Sequence, residues 1–227
     1  MNSNTAVIIV AGGTGSRMGS GMPKQFLKVM NKEILLHTVE TFASCDFANK
    51  IVIVCHSDYT DYCKKLVSEV KKDISVVCGG ATRQESVFAG LSEIKEYKYV
   101  LVHDAVRCLV TAEDIKKLHA ELLSGNSCTL AVRVKDTIKM ADDSLFVTDT
   151  VPREFLWNIQ TPQAFAVSEL YSAHKHAIET NFVGTDDCSV VENYGKSVKL
   201  VEGSYENIKV TTPSDLKLAE FFMKGCE

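Results

Sequence analysis

Arg17 and Lys24 bracket the second half of a glycine-rich stretch, Val10-Ala-Gly-Gly-Thr-Gly-Ser-Arg-Met-Gly-Ser-Gly-Met-Pro-Lys-Gln25. Glycines let backbone N–H groups turn toward an anion with no side chain in the way. Two full positive charges in the same loop then describe a site for a polyphosphate. Two commoner glycine loops do not fit. No Gly-Lys pair is followed by Ser or Thr, so this is not a P-loop. Gly13 and Gly15 begin a dinucleotide fingerprint, but Met18 stands where its third glycine belongs. A plain solvated linker would not need Arg and Lys, with Pro23 between them, directly after an apolar run.

A second candidate is Asp104, in Val100-Leu-Val-His-Asp-Ala-Val-Arg107. A carboxylate at the tip of a strand is a hard-oxygen ligand for Mg²⁺, which takes one or two protein carboxylates plus substrate phosphates. The plainer reading of Asp104 is a helix cap or a partner for Arg107. His103 beside it reads as a packed or hydrogen-bonded strand residue. His174 and His176 lie two apart on an expected helix and do not share a face. These positions suggest no Ser-His-Asp arrangement.

The elements that must hold these groups alternate. Apolar, β-rich runs fall at Ala6–Val10, Ile51–Val54, Ile74–Val77, Tyr99–His103 and Cys128–Val134, with helical segments between them. Near-continuous apolar strands separated by helices predict a Rossmann-like α/β fold, a mainly parallel twisted sheet with helices on both faces. In such sheets ligands bind beyond the carboxyl ends of the strands, where both candidates lie. Thr82-Arg-Gln-Glu85 predicts a capped helix start, and Thr212-Pro-Ser-Asp215 another. One segment breaks the alternation. Asp136–Met140 and Ser144–Thr148 read as two short strands about a polar turn, a hairpin arm projecting from one domain spanning residues 1–227. Such arms tend to be covered, often by a second copy of the chain.

Composition narrows the partners. A net charge of −4 argues against general nucleic-acid binding, and no apolar run reaches membrane-spanning length. Eight cysteines without a C-x-x-C pair read as reduced thiols in a cytoplasmic protein.

Ala11-Gly-Gly-Thr-Gly-Ser-Arg-Met18 with Pro23-Lys-Gln25 resembles the signature of nucleotidyltransferases that activate sugar and polyol phosphates. Gly79-Gly-Ala-Thr-Arg-Gln-Glu-Ser-Val87, Val102–Arg107, Val134–Lys139, Gln160–Phe165, Thr185-Asp-Asp187 and Val201–Pro213 narrow the resemblance to the 2-C-methyl-D-erythritol 4-phosphate cytidylyltransferase family of isoprenoid biosynthesis. The resemblance runs from Ala6 to Phe222. Gly12 and Cys108 depart from it, where that family often has Ala and Pro. The opening glycines are also similar to those of ribitol-5-phosphate cytidylyltransferases, the alternative acceptor class. A nucleotide-binding module without turnover is the reading from a different class.

The resemblance implies transfer of CMP from CTP to a polyol phosphate, with Mg²⁺ or another divalent cation. It implies that Ala11, Gly12, Gly13, Thr14 and Gly15 cradle the nucleotide while Gly80, Ala81 and Ser86 read its base. Arg17 and Lys24 match the family's transition-state cations. Asp104 matches the position near the metal and acceptor, Lys209 the acceptor-positioning lysine and Thr161 a further acceptor contact. Thr137 and Arg153, on the arm at about 136–154, match residues delivered to the acceptor across a homodimer with shared active sites.

Overall fold

The computed structural model describes residues 4–13 and 22–225. Thr14, Gly15 and Arg17 therefore lie outside the described residues. Seven strands form one sheet: β1 (Thr5–Ala11), β4 (Ala48–Cys55), β5 (Ile74–Cys78), β6 (Tyr99–Asp104), β7 (Cys128–Arg133), β10 (Trp157–Ala166) and β11 (Lys199–Glu202). Their order is β11-β7-β10-β6-β1-β4-β5. All neighbours are parallel except β10, which runs antiparallel to both β6 and β7. The mainly parallel sheet expected from the apolar runs is present. Two of its strands, β10 and β11, were not foreseen.

The strand β1 explains the layering. Val7, Ile9 and Ala11 pack on one face with Leu35, Val39 and Phe42 of helix α1 (Ile34–Ala43) and with Ile115, Leu118 and Leu122 of α4 (Ala112–Leu123). Ala6 and Ile8 face the other side, against Val87 and Leu91 of α3 (Arg83–Ser92), Leu170 and Ala173 of α5 (Val167–Glu179) and Val190 of α6 (Asp187–Asn193). A strand buried on both faces is apolar, and from Ala6 to Ala11 this one is without a break. On the second face α3 comes close: a Cβ at Gly90 would stand 2.9 Å from Ile8 Cγ2. A smaller cluster joins α7 (Pro213–Gly225), through Ala219, to Val29, Val106 and Val210. The chain also forms the short pair β2 (Lys28–Val29) and β3 (Lys32–Glu33) and the helix α2 (Thr60–Leu66).

Helix α1 ends at Ala43, with Ser44 as its C-cap. Both expected caps form. Thr82 accepts the Glu85 N–H, and Thr212 and Asp215 bond each other's backbone N–H groups. Glu85, however, does not close a box on Thr82; its carboxylate accepts the Ala81 N–H instead, at 2.8 Å.

The hairpin arm is a two-stranded sheet of its own, β8 (Ile138–Ala141) and β9 (Val147–Val151). Its second strand begins three residues later than the sequence suggested. Asp142 is the reason: its carboxylate accepts the N–H groups of both Ser144 and Phe146, each at 3.0 Å, and so extends the turn through Phe146.

Candidate active site

The carboxyl ends of β1, β5 and β6 open onto one cavity of about 310 Å³. Strand β1 has β4 on one side and β6 on the other, so the chain's direction of winding switches beside it. From β1 come Ala11, Gly12 and Gly13, from the loop after β5 Gly80 and Ala81, from α3 Ser86, and from β6 Asp104. Lys24 and Lys209 complete the wall. Every described residue expected to hold a nucleotide lines this one space.

Local contacts shape the cavity. Lys24 opens a single 3-10 turn, Lys24–Phe26, directly after Pro23. The next residue, Gln25, is buried and donates to Ala11 O at 2.6 Å and Gly13 O at 3.1 Å. Gln25 thereby ties the far end of the glycine loop to its start, a role the sequence reading missed. At Gly80 a Cβ would stand 2.3 Å from Glu85 Cβ, so only glycine lets this loop approach α3 while Glu85 caps Ala81.

Asp104 holds the centre of the charge pattern, but its partner is not Arg107. Arg83 Nε lies 3.2 Å from Asp104 Oδ1, and Lys209 Nζ lies 2.6 Å from Oδ2. Burial alone would raise the Asp104 carboxyl; Arg83 and Lys209 outweigh it and hold it well below the usual carboxylate range. Lys209 lies in an irregular segment and not on a strand. Asn207 donates to Gln160 Oε1 and Thr161 O, and Val210 N–H bonds Val106 O. These bonds lay residues 207–210 across the end of β6 instead of along it. Arg107 points elsewhere, donating to Asn207 O at 2.7 Å.

Behind Asp104 lies His103, packed and hydrogen-bonded as expected. Thr161 Oγ1 accepts the Asp104 N–H at 3.0 Å, so its own proton goes to His103 Nδ1 at 3.1 Å. His103 Nε2 then donates to Arg107 O. That pattern requires the neutral ring, and burial pushes His103 down to about 3. The Thr161 hydroxyl is thus tied to both Asp104 and His103. It also lines a second cavity, of about 440 Å³, which shares Arg83, Asp104 and Lys209 with the first.

These groups dictate how stability follows pH. Between about 3 and an ordinary histidine value near 6.5, unfolded chain binds a proton at His103 that folded chain refuses. Stability therefore falls as pH drops through that window. Asp104 and Asp187 are both depressed, so their contribution is present above about pH 4 and lost as pH falls further. We expect the urea midpoint to decline between pH 7 and 5, and His103→Gln to flatten that segment of the curve. An equal slope in the variant would assign the decline to other groups.

The two arm residues stand apart. Thr137 and Arg153 are exposed, and neither lines either cavity. Arg153 begins a 3-10 turn after β9 and donates to Lys135 O at 2.6 Å.

A model of the IspD family, 2-C-methyl-D-erythritol 4-phosphate cytidylyltransferase, matches residues 5–225. The chain belongs to this family. A relative from Caldanaerobacter subterraneus carrying the family's name is 40% identical over 225 residues, covering 97% of this chain and 99% of its own. A chloroplastic relative from Oryza sativa is 41% identical, covering 97% of this chain and 74% of its own. The fold matches the crystal structure of 4-diphosphocytidyl-2C-methyl-D-erythritol synthase from Anaerococcus prevotii with a TM-score of 0.89 at 31% identity, over 98% of this chain and 97% of that one. Membership in the family accounts for the glycine loop that departs from both common nucleotide motifs. Among the described residues no helix is long and apolar enough to cross a membrane, and all seven described cysteines are unpaired.

Proposed function

We propose that this chain transfers CMP from CTP to 2-C-methyl-D-erythritol 4-phosphate and releases pyrophosphate. The observation that carries the reading is the single cavity in which Lys24, the glycine backbone, Asp104 and Lys209 converge. The relatives' names favour the erythritol acceptor over ribitol 5-phosphate.

The acceptor is its own nucleophile. A phosphate monoester has its second pKa near 6, so at neutral pH it is mostly dianionic and needs no general base. One of its oxygens attacks the α-phosphorus of CTP, and the bond to the bridging oxygen breaks, with its electron pair leaving on pyrophosphate. What the reaction needs is compensation for the charge of two anions brought together, through fixed donors in place before they meet. Arg17 and Lys24 supply it at the transferring and leaving phosphates, the backbone of Ala11, Gly12, Gly13, Thr14 and Gly15 cradles the nucleotide, and Gly80, Ala81 and Ser86 receive the base. Lys209 and Thr161 serve the acceptor side with Asp104.

A divalent ion fits this site as a passenger of the nucleotide. Asp104 is the one carboxylate among the described residues lining the first cavity, and both of its oxygens already face cations. No group of three or more His, Cys, Asp or Glu side chains among the described residues could hold an ion by itself. Mg²⁺, held mainly by CTP phosphates with Asp104 nearby, would offset phosphate charge when bound.

The arm supports a two-fold dimer with shared sites. Leu145, Phe146 and Phe155 are 86, 73 and 75% exposed, on or beside a two-stranded hairpin that has marginal stability alone. A second subunit would cover them and receive Thr137 and Arg153 beside its acceptor. Unpaired cysteines support a reducing, cytoplasmic setting.

Pyrophosphate release from CTP, run in parallel with each acceptor, tests the reaction. Release with the erythritol phosphate is expected, and release only with ribitol 5-phosphate would reassign the acceptor. CTP binding without release in either case would favour a binding module. Activity is expected to vanish on exhaustive chelation and return with Mg²⁺; undiminished turnover in chelator would remove the ion from the scheme.

A further inference from the structure

Arg83 joins two carboxylates from distant parts of the chain, Asp104 and Asp187. Its Nε meets Asp104 Oδ1 at 3.2 Å, and its Nη1 meets Asp187 Oδ2 at 2.8 Å. Asp187 is 1% exposed and rests on a rigid frame. Its backbone N–H donates to Gln163 Oε1 on β10 at 3.0 Å. The preceding Asp186 forms a capping box with Ser189 and accepts from Gln163 Nε2 at 2.7 Å. On its other side Asp187 Oδ1 lies 3.5 Å from the fully buried His174 Nε2.

The two cations on Asp104 are therefore unlike. Both line the two cavities, but Lys209 reaches Asp104 from an irregular segment with 41% of its side chain exposed. Arg83 sits at the start of α3 and is moored from behind. An anionic acceptor in the second cavity would draw Lys209 off Asp104. A buried carboxylate left without a protein cation is costly to hold in place. An unmoored guanidinium would itself turn to the nearest phosphate, since its fork suits two phosphate oxygens.

We propose that Asp187 is a positioning residue for the transfer reaction. By pinning Arg83 it keeps one cation on Asp104 when Lys209 turns to the acceptor phosphate. This rests on the reaction proposed above and deepens it. Asp187 touches neither substrate; it fixes which of the two cations stays and which moves.

The test compares three full-length proteins: the unaltered chain, Asp187→Asn, and the double variant Arg83→Met/Asp187→Leu. The double variant replaces the Arg83–Asp187 pair by apolar side chains and leaves Asp104 with Lys209; replacing a buried ion pair in this way is often neutral for stability. For Asp187→Asn we expect kcat/KM for the acceptor, at saturating CTP, to fall about tenfold or more, the usual scale for loss of a supporting residue behind a reacting group. CTP affinity measured by calorimetry without acceptor should stay within about twofold, because the nucleotide's loop contacts are untouched. The double variant should unfold near the wild-type temperature yet keep the acceptor defect. Wild-type acceptor kinetics in either variant would overturn the proposal, as would equal losses for CTP binding and acceptor use. Failure of the unaltered chain to turn over with either acceptor would instead end the reading of the reaction, and this inference with it.

Discussion

Replacing Lys24 by alanine is expected to lower turnover about a hundredfold or more, the cost of removing one preorganised donor from a developing charge. Lys24 enters the cavity from a 3-10 turn whose next residue, Gln25, is locked to Ala11 and Gly13. Its ammonium is thus delivered by a fixed piece of backbone. CTP binding should weaken far less, because loop backbone and base contacts remain. Steady-state kinetics with a parallel calorimetric titration separate the two. Near-normal turnover in folded Lys24→Ala protein would remove Lys24 from the catalytic set. The same assignment for Arg17 is tested by Arg17→Ala in the same assay.

Mixing two inactive chains should restore activity. In a dimer with shared sites, Lys24→Ala chains retain Arg153 and Arg153→Ala chains retain Lys24. A mixed dimer then holds one intact composite site, and an equal mixture should approach roughly a quarter of wild-type turnover once subunits exchange at random. Exchange must be verified independently, for example by mass shift of differently tagged chains. No recovery after confirmed exchange would mean that each site is built from one chain, whatever the oligomeric state.

How much of this was legible beforehand differs by residue, for physical reasons. The parallel strands were readable because burial on both faces leaves an unbroken apolar run, as in Ala6-Val-Ile-Ile-Val10. Strand β10 was not. Its buried half contains Gln160, Thr161 and Gln163, whose polar groups are satisfied inside by Asn207, His103 and the backbone of Asp187. Polar residues that face partners from distant segments look like a loop in one dimension. Arg83 is a similar case. In sequence it was one letter of a helix start, and only the fold brings Asp104 and Asp187 to its two edges. Asp104 was found because a carboxylate at a strand's end is conspicuous, yet its choice of Arg83 over the nearby Arg107 depends on contacts more than twenty residues apart. Periodicity reports which side of an element is buried; it carries no signal for which charge meets which.

The position of β10 also bears on how the chain assembles. It lies between β6 and β7, although both precede it in sequence. A ribosome releasing the chain from its N-terminus can complete β5-β4-β1-β6 from the first 104 residues. Strand β7 then has no neighbour to join, because its place in the sheet is one strand away from β6 until residues 157–166 arrive. The exposed edge of β6 must wait through the whole arm. Non-local pairing of this kind delays closure and favours slow, late consolidation of one half of the sheet. Lys209 comes later still. The nascent protein would thus possess a folded glycine-loop half while its acceptor half was unfinished, and synthesis would build the two sides of the reaction in succession.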